Sequence, residues 1–329
     1  MPDTPAPDWP GARLHIVTGK GGTGKTTVAA ALAITLAYGG RRTLLLEVEG
    51  RQGIAQLFDC PPLPYRETRV ATAPGGGEVQ ALAVDDEAAL LDYLDMFYNL
   101  RRAGRALRKM GAIDFATAIA PGLRDVLLTG KVKEATTRTA GGKRVYDAVV
   151  LDAPPTGRIT KFLNVTAEVS GLAKVGPIKT QSDGVMAVLR SSQTAVHIVT
   201  LLEEMPVQET IDAITELTAT GIPVGAVFVN AARASLLSPA DQNRAMAGRL
   251  GVSRVATGLK LAGLDAKVLA KRLTAEAVEH AQRVGVQDES RERIGELELP
   301  TYELPLLPGP IDLADLFELA DILRKGGVA

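Results

Sequence analysis

The octapeptide Gly19-Lys20-Gly21-Gly22-Thr23-Gly24-Lys25-Thr26 constrains the fold of this chain more than any other stretch. An apolar run, Arg13–Thr18, precedes it, and a second apolar segment, Val28–Tyr38, follows with a helix expected to begin near Lys25. Glycines at this density let backbone N–H groups turn inward, and a helix N-terminus adds the positive end of its dipole. Such a loop cradles phosphate oxygens when it joins a strand to a helix. Within it, Lys25 is expected to bridge β- and γ-phosphates, and the Thr26 hydroxyl to complete a Mg²⁺ coordination sphere. The expected nucleotide contacts are Gly19, Gly21, Gly22, Thr23, Gly24, Lys25, Thr26 and Thr27, with ATP and Mg²⁺ as the ligands.

The rest of the chain alternates in the way such a loop requires. Strand candidates are Arg13–Thr18, Arg42–Val48, Val79–Val84, Val145–Leu151, Ala195–Leu201, Ile222–Val229 and Tyr302–Leu306. They are apolar along most of their length, as strands covered on both faces are. Helical segments between them predict a doubly wound, mainly parallel α/β sheet of the P-loop NTPase type. Residues 86–140 and 158–192 read instead as helix after helix, the second stretch broken at Gly176-Pro177 and at Gly184. They are expected to form a helical subdomain inserted in one domain spanning 13–329. Residues 239–296 read as a third helical stretch. Residues 1–12, proline-rich and without the apolar run of a secretory leader, read as a disordered tail.

Composition excludes several classes. Thirty-seven basic against thirty-eight acidic residues leave a formal charge of -1, without the basic excess of a nucleic-acid binder. The local cluster Arg101, Arg102, Arg105, Arg108 and Lys109 reads as a solvated helix face. A single cysteine, Cys60, rules out an intrachain disulfide and a cysteine-based zinc site. His15, His197 and His280 lie far apart in sequence, the first two inside strand-like runs, and read as core residues rather than ligands. The Val28–Tyr38 segment is well short of a membrane span, so the chain is expected to be cytoplasmic, with no direct membrane insertion.

Two acidic positions complete the chemistry. Glu47 and Glu49 close the second strand on one face, at the edge where open α/β sheets bind ligands. A carboxylate there suits orientation of the attacking water or of a Mg²⁺-bound water. Asp152 ends the apolar run from Tyr146 and is expected to hold a Mg²⁺-bound water. The loop Ala153-Pro154-Pro155-Thr156-Gly157-Arg158 that follows is placed to change shape when the γ-phosphate leaves.

These residues carry a resemblance. Lys20, directly after the first glycine, matches the deviant Walker A class, dimeric ATPases whose signature lysine reaches nucleotide across the dimer interface. From Arg13 to the C-terminus the chain resembles the arsenite-pump (ArsA) and GET-type ATPases, most of all the anion-transporting-ATPase-like proteins of actinobacteria. Tyr146–Gly157 resembles the family's Tyr-Asp-x-x-x-x-Asp-Thr-Ala-Pro-Thr-Gly switch II. Phe228-Val229-Asn230 resembles its adenine-binding Val-Asn. Leu304-Pro305-Leu306-Leu307-Pro308 resembles its C-terminal adenine loop, and Pro121-Gly122 agrees with its Pro-Gly helix. The resemblance implies adenine contacts at Asn230 and Pro308, and catalytic roles for Lys20, Lys25, Glu49 and Asp152. Glu49-Gly50-Arg51-Gln52 stands where the family has Asp-Pro-Ala-His, so Glu49 replaces the water-placing aspartate. The zinc-binding and arsenite-binding cysteines are missing.

The reading that follows is an ATP-hydrolysing dimer, homomeric or paired with a paralogue. It would handle a hydrophobic protein client or energise a membrane partner; the apolar stretch Leu90–Leu100 reads either as packing of the helical subdomain onto the sheet or as the client surface. The alternatives are an anion-export subunit and a nucleotide-binding pseudo-ATPase. A partition-type ATPase fits poorly, because Ile311–Lys325 carries four acids against two bases.

Overall fold

A computed structural model describes residues 9–85, 88, 89, 123–172 and 177–328. Leu90–Leu100, the basic cluster at 101–109, Pro121-Gly122 and the first eight residues of the expected tail lie outside the described residues. Trp9, also assigned to that tail, is docked: its indole Nε1 donates to the Gly225 carbonyl at 3.1 Å.

The sheet is built around β1 (Leu14–Gly19), all six of whose residues are buried. Its neighbours are β7 (Ala148–Asp152) on one side and β8 (Thr194–Thr200) on the other, both parallel to it. Beyond β7 lie β2 (Arg42–Glu47), β4 (Gly77–Ala83) and β3 (Thr68–Ala73), and beyond β8 lie β9 (Val224–Ala232) and β10 (Thr301–Pro305). Every pairing in this eight-stranded sheet is parallel except β3–β4. The expected doubly wound α/β architecture is therefore what the chain adopts.

Alternate residues of each strand feed two separate cores. Val17, Leu45, Val150, Val199 and Phe228 face α1 (Lys25–Ala37), whereas Ile16, Leu44, Leu151 and Ile198 face the opposite helical layer. Helix α1 is buried at eleven of its thirteen positions, so no stripe of it faces water. The sheet covers one side, and α10 (Leu313–Lys325) covers the other through Leu316, Leu319, Ala320 and Leu323. Four alanines at 29–31 and 33 let the two helices approach, and the Thr35 hydroxyl donates to the Ala320 carbonyl at 3.0 Å. The apolar face of the C-terminal helix is thus occupied within the chain.

The opposite layer contains α3 (Leu123–Thr137), α4 (Thr156–Leu172), α5 (Pro177–Leu189) and α6 (Glu204–Ala219). A short helix, α2 (Gly53–Leu57), follows β2. Helix α5 does begin at Pro177, but Gly184 does not break it. Glycine costs only about 1 kcal/mol in a helix interior. Here the flexible end of the Lys133 side chain, from α3, occupies the space beside Gly184. Two features fall outside the sequence reading. Antiparallel β3 forms a hairpin with β4, and a two-stranded ribbon, β5 (Thr139–Ala140) and β6 (Lys143–Arg144), follows α3. The third helical stretch is present as α7 (Pro239–Met246), α8 (Val252–Leu261) and α9 (Ala266–Gly295).

His15 and His197, distant in sequence, meet in the core. Register sets His15 opposite Ala195 and Val17 opposite His197, so the two rings are diagonal neighbours. His15 Nδ1 lies 3.0 Å from His197 Nε2. Trp9 packs edge-on against His197.

Candidate nucleotide site

Parallel strands end together, so β1, β2, β7, β8, β9 and β10 deliver their C-terminal loops to one edge of the sheet. The loop after β1 sits centrally there, between β7 and β8. Two glycines are fixed by geometry. A Cβ at Gly19 would run into the Val199 carbonyl of β8, and Gly24 holds φ at 85° just before α1 while the Asn230 amide occupies the space a side chain would need. Gly21 and Gly22 are exposed on the outer turn. The buried Thr23 hydroxyl donates to the Lys20 carbonyl at 2.9 Å and closes the loop on itself.

Asn230 Nδ2 donates to the Thr23 carbonyl at 2.9 Å, so the end of β9 is tied to the phosphate loop. Pro308 lies exposed three residues beyond β10, on the same edge. Thr27 is half-buried in the first turn of α1.

Lys25 opens α1 and is 9% exposed. Among the described residues its ammonium reaches only the Lys20 carbonyl, at 3.4 Å. Burial lowers its pKa; the charges of Asp152 and Glu49 oppose that and Arg51 adds to it. A buried cation so weakly partnered favours an incoming anion. One residue on, the Thr26 hydroxyl donates to Asp152 Oδ2 at 2.7 Å. Burial raises the Asp152 pKa to about 6, against the hydrogen bond from Thr26 and the charge of Lys25, with Glu47 and Glu49 adding to the rise.

Register places Glu47 directly opposite Asp152 on the neighbouring strand. Glu47 Oε1 accepts the Gly53 N–H at 3.2 Å, while Glu47 Oε2 and Asp152 Oδ1 are both buried without a hydrogen-bond partner. Two orphaned carboxylate oxygens beside a threonine hydroxyl are hard donors, and this donor set fits Mg²⁺. Glu49 lies just past the end of β2. Its Oε2 is 3.6 Å from Arg51 and its Oε1 is 3.9 Å from Arg158. The segment after Asp152 is pinned at its start, where the Thr18 hydroxyl donates to the Pro154 carbonyl at 2.7 Å, and it runs directly into α4 at Thr156.

One site residue was not anticipated. Lys20 Nζ lies 2.6 Å from Glu209 Oε1 on α6, with both side chains about one-third exposed. Glu209 Oε2 also accepts the Thr156 hydroxyl at 3.2 Å. Nothing in the local sequence around Glu209 marks it.

A phosphate loop between a buried strand and a buried helix, with a hydroxyl–carboxylate pair beneath it, defines a P-loop nucleotide-binding protein. The family model described as Anion-transporting ATPase, ArsA, matches residues 12–190, and the chain belongs to that family. It is 55% identical to ATPase BagA of Mycobacterium tuberculosis (strain H37Rv) over 328 residues, covering 97% of this chain and 96% of that protein. It is 29% identical to ATPase GET3 of Kluyveromyces lactis over 181 residues, 50% of this chain and 51% of that one. The protein is an ATPase. Among the described residues no helix is long and apolar enough to cross a membrane.

Proposed function

We propose that the protein is a Mg²⁺-dependent switch ATPase of the cytoplasm, working as a dimer with nucleotide near its seam. The reading rests above all on one observation: the Thr26 hydroxyl and Asp152 carboxylate are joined at 2.7 Å beside the buried ammonium of Lys25. The chain's own groups divide the work. Backbone N–H groups of residues 19–26 and the α1 dipole bind the phosphates, and Lys25 neutralises charge that grows on the β–γ bridging oxygen. Thr26 and Asp152 would hold the metal, Asp152 through a water molecule. Bound there, Mg²⁺ supplies further neutralisation of the β- and γ-phosphates. Glu49 orients a water for in-line attack on the γ-phosphorus; the bond to the β-phosphate oxygen breaks and ADP departs. Asn230 and Pro308 contact the adenine.

Release of the γ-phosphate is read out by Glu49–Gln52 and Pro154–Arg158. The second segment continues into α4, so a shift there moves the helical layer formed with α3 and α5, the inserted helical subdomain. This coupling suits handling a hydrophobic protein client or energising a membrane partner; the family is described as anion-transporting. The dimer partner is a second copy or a paralogue.

Mg²⁺-dependent ATP turnover in wild type, Lys25→Ala and Asp152→Asn tests the assignment. Both variants should lose about 10²-fold or more in kcat, the range for removing a preorganised charge-stabilising group. Lys25→Ala should also weaken ATP binding by calorimetry. Unchanged affinity and turnover in Lys25→Ala would exclude this loop as the site.

A further inference from the structure

Nine of the twelve large apolar side chains exposed among the described residues fall between residues 236 and 286, on α7, α8, the first two-thirds of α9 and their loops. This region is an arm. Gln287 Oε1 accepts the Arg233 N–H just after β9 ends, and Arg291 pairs with Glu303 on β10, so the last turns of α9 lie along the sheet. From Ala266 to that point the helix runs about 30 Å at 1.5 Å per residue. It therefore projects well beyond the sheet edge that carries the phosphate loop. Its internal cores are small: Ala245, Leu250 and Ala281 near the base, and Leu259, Ala266 and Ala270 near the tip.

Charge is polarised along the arm. Residues 244–272 contain seven bases and one acid, Asp265, whereas residues 276–298 contain seven acids and three bases. Asp265 is spent on capping α9, where its side chain accepts the Lys267 and Val268 N–H groups. Lys260, Lys267, Lys271 and Arg272 are exposed at the tip. Between them stand Leu261, 87% exposed, Leu264, 53%, and Val268, 65%. These three occupy the turn of the α8–α9 hairpin. They are separate from the groove of about 1040 Å³ lower on the arm, which Leu237, Leu250, Val255 and Leu273 line with Asp241, Arg254, Glu276 and His280.

We infer that the α8–α9 tip is a peripheral docking site for an anionic bilayer surface. A projecting turn has no concavity to receive a protein side chain, but it can set Leu261, Leu264 and Val268 at the headgroup–acyl boundary while Lys260, Lys267 and Lys271 meet lipid phosphates. The same excess of bases repels an identical tip, which disfavours tip-to-tip pairing with a second copy. The sheet's nucleotide edge would then face the bilayer at about the length of the arm.

Co-sedimentation of the full-length protein with vesicles tests this. Phosphatidylcholine vesicles containing about one-third phosphatidylglycerol should pellet the protein, pure phosphatidylcholine should not, and about 0.5 M NaCl should release it. Leu261→Ser/Leu264→Ser/Val268→Ser and Lys260→Glu/Lys267→Glu/Lys271→Glu should each lower the partition coefficient by about tenfold or more. Their vesicle-free ATP turnover should match wild type, since neither set lies in the nucleotide site. Wild type that stays in the supernatant with anionic vesicles would overturn the proposal, as would pelleting that both variants retain. Self-association of wild type in sedimentation velocity, lost in the leucine variant and without vesicle binding, would assign the patch to a second copy instead.

Discussion

Lys20 and Glu209 form an ion pair of 2.6 Å within one chain, and Glu209 also accepts the hydroxyl of Thr156, the first residue of α4. The lysine expected to serve nucleotide across a dimer seam is thus parked in cis, on the carboxylate that contacts the segment expected to sense the γ-phosphate. Both side chains are about one-third exposed, so the pair contributes no more than about 1 kcal/mol. Displacing Glu209 from Lys20 by a phosphate would cost little. Glu209→Gln should therefore shift ATP-driven dimerisation to lower protein concentration by about two- to fivefold, with thermal stability nearly unchanged. Analytical ultracentrifugation with ATP checks this. A shift to higher concentration would mean that Glu209 acts in the nucleotide-bound state instead.

Lys20→Ala should separate binding from turnover. Its ammonium pairs with Glu209 in the nucleotide-free chain, so ATP affinity should change little while kcat falls by about 10²-fold. Titration calorimetry and steady-state kinetics on one preparation measure both quantities. Equal losses in affinity and kcat would place Lys20 in ground-state binding.

Glu49 stands between Arg51 and Arg158, at 3.6 and 3.9 Å, with a side chain one methylene longer than the family's aspartate. Glu49→Gln should slow turnover by about 10- to 10⁴-fold and leave ATP affinity nearly intact. Glu49→Asp tests the reach of the side chain: it should also be slower, by as much as about 10²-fold for a displacement of about 1 Å, if the loop is built for glutamate, and should match or exceed wild type if the loop is still family-like. Wild-type rates in both variants would move the role to Glu47, whose Oε2 is buried without a partner.

The buried histidine pair predicts acid sensitivity. Burial holds the His15 pKa down at about 4, and burial with the neighbouring His15 lowers that of His197. Both rings are neutral in the folded protein, whereas the unfolded chain binds protons near pH 6.5. Stability is therefore full above about pH 6.5 and declines as pH falls toward 4, by an amount on the order of 2 kcal/mol from His15 alone at pH 5. Urea midpoints at pH 7.5 and 5.0 should differ accordingly, and His15→Asn should flatten the difference. Equal slopes in wild type and variant would remove the pair from the acid response.

What could be read from the sequence divides along physical lines. Strands covered on both faces leave continuous apolar runs, so β1, β2, β4 and β7–β10 were legible, as was the glycine-rich loop. Strand β3 was not. Thr68–Ala73 is an antiparallel edge strand in which only Ala73 is buried, and Val70 is its one large apolar residue. Glu209 and the His15–His197 contact were hidden for another reason. Each depends on the register or docking of elements far apart in the chain, and no local pattern encodes that. Gly184 misled because glycine disfavours helix, yet one glycine costs only about 1 kcal/mol and the packed helix Pro177–Leu189 runs through it.

The central claim, a dimer whose Lys20 serves the partner's nucleotide, is tested most directly by mixing two inactive variants. In Lys20→Ala the carboxylate proposed to hold the metal, Asp152, is intact, and in Asp152→Asn Lys20 is intact. If Lys20 acts across the seam, a mixed dimer holds one complete site, formed by Asp152 of the first subunit and Lys20 of the second. An equal mixture that re-equilibrates should then recover about a quarter of wild-type ATP turnover, since half the dimers are mixed and each has one working site of two. Turnover no greater than the sum of the two variants measured alone would contradict the trans-acting lysine and leave Lys20 with Glu209, in cis.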